Sequence, residues 1–450
     1  MQYNLLKFYK LFFNQDVYGL HQKALAAQWV SKDELNDIQV RKLKSLLVHA
    51  GRNVPYYRAL FKEGWINPDE CNDLTFLEKI PLLTKDAIQT NQDALISINS
   101  NRKKLLKCRT GGSTGKGLVF YVDDFKRASV VAFRLRGDSW TGVSPFSRSA
   151  MLWAVEKSPG FFSALWKQTK EVASNQHVYD LWQLSQENVK QYVDGINRLK
   201  PELIVGYSTG LYMLSMLMEK ENLKIFGQPK IISTAEMLTD QMADQIGRNI
   251  SPLIFNRYGC REVGPLAMTC EAGGWHINSD NVIFEVTDSL GNPLNYGIKG
   301  DVVVTDLNNF SMPFIRYSIE DMASLSSKTC RCGRGFPLIS GMDGRSGEIL
   351  MAGNGKLVHM SRIVLYMEKF NSISLYQIHQ AKDKNILLKL KLRQGVKNTD
   401  VIEKSIVTGL EDIMGHGISI KVKSNEAFVK TGQGKHRYIV SDFNLVSGLV

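Results

Sequence analysis

Apolar and polar positions change period several times along the 450-residue chain. In the first 50 residues the period is helical. Tyr3, Leu5, Leu6, Phe8, Tyr9, Phe12 and Phe13 form an apolar stripe interrupted by Lys7, Lys10 and Gln15, so the spacing predicts an amphipathic helix able to lie on a membrane, a partner or the protein's own body. Ser31 followed three residues later by Glu34 predicts a capping box for a helix carrying Leu35, Ile38, Leu43 and Leu46. Between 80 and 350, short β-rich runs alternate with helical periods. Strands are expected at 118–122, 148–154, 203–207, 230–234, 253–257, 282–287 and 301–305. Helices are expected near 125–137, 185–199, 208–221 and 239–249, and this alternation argues for a mixed α/β domain. The stretch 281–325 reads instead as a helix-free β-meander turning at Gly291-Asn292-Pro293. After Gly344 the composition resets, and 348–450 reads as a small α+β unit.

Composition adds limits. Hydrophobic and charged fractions of 44% and 22% are ordinary for a globular protein, and no apolar run is long enough for a membrane-spanning helix. Lys7 and Lys10 break up the opening stretch and no small-residue cleavage site follows, so no secretory signal is expected. Six cysteines do not make a disulfide scaffold, which leaves a cytoplasmic setting as the expectation. The net charge of +12 suits an acidic small substrate or an anionic surface. No RNA-recognition, helix-turn-helix or zinc-finger signature points to nucleic acid.

The densest chemical signal is Arg109-Thr110-Gly111-Gly112-Ser113-Thr114-Gly115-Lys116-Gly117. It packs four glycines, three hydroxyls and two cations into nine residues, a set that suits a polyphosphate. It is not a Walker A loop, and the β-rich run after it predicts a cover between two strands. Further along, Thr234-Ala235-Glu236 and Tyr258-Gly259-Cys260-Arg261-Glu262 each end an apolar run with small, aromatic or acidic residues, where ligands of α/β sheets usually bind. Pro313 to Asp321, Gly344-Arg345-Ser346-Gly347 and the glycine-flanked Lys435 complete the series. Separately, Cys270, His276, Cys330 and Cys332 have Cys-x5-His and Cys-x-Cys spacing, 53 residues apart. Tetrahedral zinc takes such ligands; reduced thiols with a surface histidine would give the same spacing, and Cys260 is a rival ligand.

These motifs, in this order, resemble the adenylate-forming superfamily, most of all its phenylacetate-CoA ligase branch and the CapK-type proteins linked to capsular polysaccharide synthesis. Asn53-Val54-Pro55-Tyr56-Tyr57-Arg58 and Ile80-Pro81-Leu82-Leu83-Thr84-Lys85 fit the head section of that branch. The resemblance implies an α/β adenylate-forming fold: a helical extension over 1–50, a large core with a β-meander subdomain over 51–343, a hinge at 344–347 and a small mobile α+β lid over 348–450. It implies a phosphate loop at Thr110, Gly111, Gly112, Ser113, Thr114, Gly115 and Lys116. Adenine would contact Thr234, Ala235, Glu236, Tyr258 and Gly259; Glu262 would bind Mg²⁺. Asp321 and Arg345 would hold the ribose, and Lys435 would bridge carboxylate and α-phosphate. Members of the branch carry a Cys/His cluster like Cys270, His276, Cys330 and Cys332, which implies a structural zinc. The implied activity is ATP-dependent conversion of a carboxylic acid to its acyl-adenylate, followed by transfer to CoA. The alternatives are transfer to an amine such as an amino sugar, or a non-catalytic nucleotide-binding scaffold in a membrane-peripheral polysaccharide assembly. His177, Tyr179 and Gly206-Tyr207-Ser208 are expected near the acyl pocket.

Overall fold

A computed structural model describes residues 15–109, 118–153, 175–345 apart from 182, 183 and 185, and then 349–353, 357–359, 363, 366–367, 369–370, 372–396, 399–415, 417–424, 426–429 and 439–442. The stripe at 3–13, the loop 110–117, Gly347 and Lys435 lie outside these residues. The chain divides into two compact units, a larger one ending at Gly341 and a smaller one from Met342, which also takes in Glu320–Met322.

The larger unit opens with helices α1 (Val17–Ala27), α2 (Lys32–Asn53), α3 (Pro55–Glu63) and α4 (Lys85–Thr90). The capping box forms: Ser31 Oγ accepts from the Glu34 amide at 3.2 Å and Glu34 Oε2 accepts from the Ser31 amide at 3.0 Å. The hairpin of β1 (Leu106–Arg109) and β2 (Val119–Val122) follows, then α5 (Asp124–Ser139), β3 (Ser149–Trp153) and β4 (Gln176–Asp180). Three crossovers come next: α6 (Val189–Leu199) to β5 (Leu203–Tyr207), α7 (Ser208–Lys220) to β6 (Lys230–Thr234), and α8 (Asp240–Asn249) to β7 (Ile254–Cys260). After them run β8 (Gly264–Thr269), β9 (Trp275–Ile277), β10 (Val282–Thr287), β11 (Lys299–Asp306), β12 (Tyr317–Ser326) and β13 (Leu338–Arg345).

Among the described residues β3 to β13 form one eleven-stranded sheet in the order β10-β11-β12-β13-β9-β8-β7-β6-β5-β3-β4. From β4 to β7 the pairing is parallel. β5 is buried along its whole length, as a strand covered on both faces must be. From β7 through β8 to β9 the pairing turns antiparallel. The meander read from the sequence is present, but it continues this sheet: β13 pairs with β9, joining residues some sixty positions apart, Leu338 opposite His276.

The head is tied to the meander. Leu83 donates its amide to the Arg316 carbonyl at 2.8 Å, and Ser318 donates to the Leu83 carbonyl at 3.0 Å. Tyr57 Oη donates to the Pro313 carbonyl and accepts from the Ile315 amide, both at 3.1 Å. Both head motifs therefore fix the segment leading into β12.

In the smaller unit, β14 (Ile349–Met351) and β15 (Leu357–His359) form a hairpin. Among the described residues β16 (Ile373–Gln380), β17 (Ile386–Leu392), β18 (Ile420–Ser424) and β19 (Ile439–Ser441) make a four-stranded sheet in the order β18-β17-β16-β19, with α9 (Thr399–Met414) between β17 and β18. Ile406, Leu410 and Met414 are the buried residues of α9, spaced at helical period. The Gln380 side-chain amide donates to the Met351 carbonyl and its oxygen accepts from the Met351 amide, docking the hairpin on the sheet.

Candidate functional site

The phosphate-loop candidate joins two paired strands, with Arg109 opposite Val119 at the end of the ladder. Phe120 anchors this hairpin from β2, buried against Phe314 with ring centroids 6.1 Å apart. Thr110 to Lys116 themselves lie outside the described residues.

The adenine candidates meet at the carboxyl ends of neighbouring strands. Thr234 ends β6 opposite Arg257 of β7, and Tyr258 is the next residue of β7. The Thr234 hydroxyl donates to the Arg257 carbonyl at 3.0 Å, and the Arg257 guanidinium pairs with Asp138 at 2.6 Å. Ala235 has φ of 69°, a left-handed conformation that a non-glycine residue keeps only where its surroundings enforce it, commonly at ligand sites. Ser208 Oγ bonds both Ser233 Oγ at 2.7 Å and the Glu236 carbonyl at 2.9 Å, fixing the turn after β6. Burial first, then the Glu236 carboxylate, pushes the Tyr207 phenol up to about 12, so it remains a neutral donor at physiological pH.

Glu262 lies in the turn from β7 to β8. It is buried and accepts from Tyr317 Oη at 3.0 Å. Lys126 of α5 holds the same turn, donating to the Val263 carbonyl at 2.8 Å while pairing with Asp306 at 2.6 Å. Gly259 is required by close approach: a Cβ there would stand 2.5 Å from the Gly264 carbonyl oxygen. The structure thus brings Thr234, Ala235, Glu236, Tyr258, Gly259 and Glu262 to one end of adjacent strands. Asp321 lies within β12 and Arg345 closes β13.

Near the expected acyl pocket, Trp153 at the end of β3 packs on Tyr207 with centroids 4.4 Å apart, and His177 meets Tyr179 edge-on at 4.7 Å. Residues 154–174, which follow Trp153, lie outside the described ones.

The Cys/His set comes together. One ligand atom from each of Cys270, His276, Cys330 and Cys332 lies within 4.8 Å of every other. Cys270 Sγ is 3.6 Å from Cys330 Sγ, and Cys332 Sγ is 3.2 Å from His276 Nε2. His276 Nδ1 faces the Phe336 carbonyl at 3.1 Å, and a carbonyl only accepts. The ring proton is therefore assigned to Nδ1, turning the Nε2 lone pair toward the sulfurs, the orientation a metal-ligating imidazole needs. Gly274 keeps the centre open, since a Cβ there would stand 2.5 Å from Cys330 Sγ and 3.3 Å from His276 Nε2. Burial pushes the Cys270 thiol up to about 12. Burial also opposes ionisation of Cys332, but hydrogen bonds from the Arg334 backbone and side chain, together with those from Cys330 and Cys270, hold that thiol below its usual value. Three sulfurs and one imidazole in a half-dry pocket fit a tetrahedral d¹⁰ ion with no open position. Cys260, the rival ligand, ends β7 and is not part of the set.

Several residues that shape these sites gave no sequence signal. Lys126 reads as one lysine among the polar positions of α5, and Asp306 as the acid closing β11. Asp138 is likewise unmarked. Tyr317 lay inside the Pro313–Asp321 motif, so its position was visible and its partner was not.

No family model matches the chain. It is 23% identical over 420 residues to Protein CapK of Staphylococcus aureus, covering 91% of this chain and 90% of that protein. It is 28% identical over 358 residues to the phenylacetate-coenzyme A ligase of Escherichia coli (strain K12), covering 76% and 78%. Its fold matches the crystal structure of 2-hydroxyisobutyryl-CoA ligase in the postadenylation state in complex with R3-HIB-AMP. The TM-score is 0.75 at 16% identity, over 92% of this chain and 91% of that one. The fold is that of the adenylate-forming ligases.

Proposed function

We propose that this chain, a relative of the phenylacetate-CoA ligases within the adenylate-forming superfamily, activates a carboxylic acid with ATP and passes the acyl group to CoA. The observation that carries this reading is the buried Glu262 carboxylate in the turn beside the strand ends of Thr234 and Tyr258, held by Tyr317 and by the Lys126-anchored Val263 carbonyl. A carboxylate attacking the α-phosphate meets charge repulsion, so the site must neutralise and align two anions. The Thr110–Lys116 loop would supply donors to the phosphates. Thr234 to Glu236 and Tyr258-Gly259 would frame the adenine, and Asp321 and Arg345 the ribose. Lys435 would align the attacking carboxylate with the α-phosphate. Mg²⁺, held by Glu262, would supply charge neutralisation. Pyrophosphate leaves, and a thiol then displaces AMP from the acyl-adenylate. Movement of the smaller unit about residues 344–347 would clear Lys435 for that second step.

Cys270, His276, Cys330 and Cys332 would hold a structural zinc, stapling the loop before β13 to the β8–β9 turn. A place in polysaccharide synthesis rests on the likeness to Protein CapK alone.

The test is ATP–pyrophosphate exchange with aryl, fatty, hydroxy and amino acids. Acid-dependent exchange, lost in Lys435→Ala with ATP binding retained, is expected. ATP binding without exchange for any acid would refute the ligase reading and favour a nucleotide-binding scaffold. After exchange is established, adenylate turnover stimulated by CoA is expected, and stimulation by an amine alone would replace the thiol.

A further inference from the structure

The connection from β12 to β13, residues 327–337, has no regular secondary structure, so no ladder of its own backbone bonds fixes its shape. Two sets of contacts order it. On one side Cys330 and Cys332 join Cys270 and His276. On the other side the loop meets the junction of α1 and α2. Gly335 donates its amide to the Gln28 carbonyl at 2.9 Å. The buried Gln28 side-chain oxygen accepts from Arg334 Nε at 3.1 Å and from Trp140 Nε1 at 2.6 Å. Arg334 Cζ lies 5.0 Å from the ring centre of Trp29 and 5.0 Å from that of Trp140. Its Nη1 donates to both carboxylate oxygens of Glu271 at 2.9 Å. Trp140 in turn meets His276 edge-on with centroids 5.6 Å apart. Val30, Cys330 and Cys332 pack against one apolar cluster that includes Trp140, Cys270 and Phe336. Gln28, Trp29 and Val30 are therefore seated on the immediate surroundings of the four candidate ligands.

Ordering an irregular loop costs conformational entropy, and that cost is met once. An ion on the cysteines and a junction docked on Arg334 and Gly335 both require the ordered loop, so each binds more tightly when the other is in place. We infer that residues 330–336 form a metal-dependent clasp for the α1–α2 junction, with zinc occupancy and the docking of Gln28, Trp29 and Val30 thermodynamically coupled. This inference rests on the zinc site proposed above. The effect is local, because α1 has a second hold upstream of the junction: Arg136 Nη1 donates to the Ala24 carbonyl at 3.1 Å.

Hydrogen exchange read by mass spectrometry on the full chain, zinc-loaded and after zinc removal with a chelator, tests it. Removal should speed exchange on the order of tenfold in residues 26–34 as well as in 330–336, and leave α8 unchanged. Coupling is reciprocal, so weakening the junction must weaken zinc by the same factor. Gln28→Ala leaves all four ligands in place and should lower zinc affinity on the order of tenfold, measured by competition with a chromophoric chelator. Trp29→Ala, at a side chain already 55% exposed, should lower it several-fold without the buried donors that Gln28→Ala strands. A wild-type chain that holds no zinc would overturn the zinc assignment and this coupling together. Bound zinc whose removal leaves 26–34 unchanged, with both variants retaining it as the wild type does, would overturn the coupling alone. Faster exchange throughout the larger unit on zinc removal would also overturn it, since the ion would then support the fold at large.

Discussion

Lys126→Met isolates the contact that links the sheet to the Glu262 turn. The ammonium is 2.6 Å from an Asp306 carboxylate oxygen and 2.8 Å from the Val263 carbonyl, with side-chain exposures of 2% and 0% for the ion pair. At that separation and an effective dielectric of about 20, the attraction is about 6 kcal/mol, most of which offsets the desolvation of two buried charges. The pair therefore adds little net stability over an apolar replacement, but breaking it leaves a carboxylate stranded in the core. Such losses cost about 3–5 kcal/mol. Urea denaturation of Lys126→Met should show a deficit of that size at pH 8. The deficit should shrink toward pH 5. Burial already raises the Asp306 carboxyl, and without the lysine it rises further. The folded variant then binds a proton the unfolded chain releases, so acidification favours folding. Lys126→Met/Asp306→Leu should recover most of the stability while pyrophosphate exchange stays low, because the Val263 carbonyl has still lost its donor. A single-variant loss below about 1 kcal/mol, or a double variant no more stable than the single, would refute this account.

Tyr317→Phe removes the hydroxyl that donates to Glu262 at 3.0 Å. A hydrogen bond to a charged acceptor contributes about 1.5–3 kcal/mol, so exchange should fall at least about tenfold with folding intact, and an unchanged rate would mean Glu262 needs no such orientation. Gly274→Ala puts a methyl 2.5 Å from Cys330 Sγ. Elemental analysis should find about one zinc per wild-type chain and much less in the variant; equal metal in both would place the ion elsewhere. His21, buried in α1, is held down to about 4 by burial and then by the Arg136 charge. Its folded value lies below the unfolded one, so the unfolded chain binds the extra proton. Stability should fall by about 1–3 kcal/mol as pH drops from about 6.5 to 4. His21→Phe should flatten that slope, and a slope unchanged by the substitution would assign it to other groups.

The elements that carry the candidate adenine and Mg²⁺ residues were legible because their signals are local. A buried parallel strand such as Leu203–Tyr207 is a continuous apolar run bounded by polar residues, and the Ser31/Glu34 box marks a helix start within four residues. Pairing between distant segments left no such mark. The meander looked separable in sequence because nothing around Leu338 announces His276 as its neighbour. The head motifs were recognisable as residues, yet their work, Tyr57 bridging Pro313 and Ile315, spans more than 250 positions. Cys260 stayed a rival metal ligand for the same reason: spacing along the chain does not tell the end of β7 from the turn after β8.

The division follows from what each kind of residue must do. A group that touches substrate needs unusual chemistry at a strand end, and a carboxylate or glycine after an apolar run is visible there. A group that holds the first one in place needs only the right charge at the right depth. Lys126 meets that need from a helix whose polar positions include four other charged side chains after Asp124, namely Arg127, Arg134, Arg136 and Asp138. Three of these also make ion pairs: Arg136 with Asp280, Asp138 with Arg257, and Arg127 with Asp124 on the exposed side of the helix. In sequence these residues read as the solvated side of an amphipathic helix. In the fold α5 presents Lys126, Arg136 and Asp138 inward, where desolvation makes each unpaired charge costly and so makes each pairing specific. The positioning of Glu262 is therefore carried by the part of the chain that looks most ordinary. Substitutions along α5 should alter exchange through geometry at the β7–β8 turn, with the residues at the strand ends untouched.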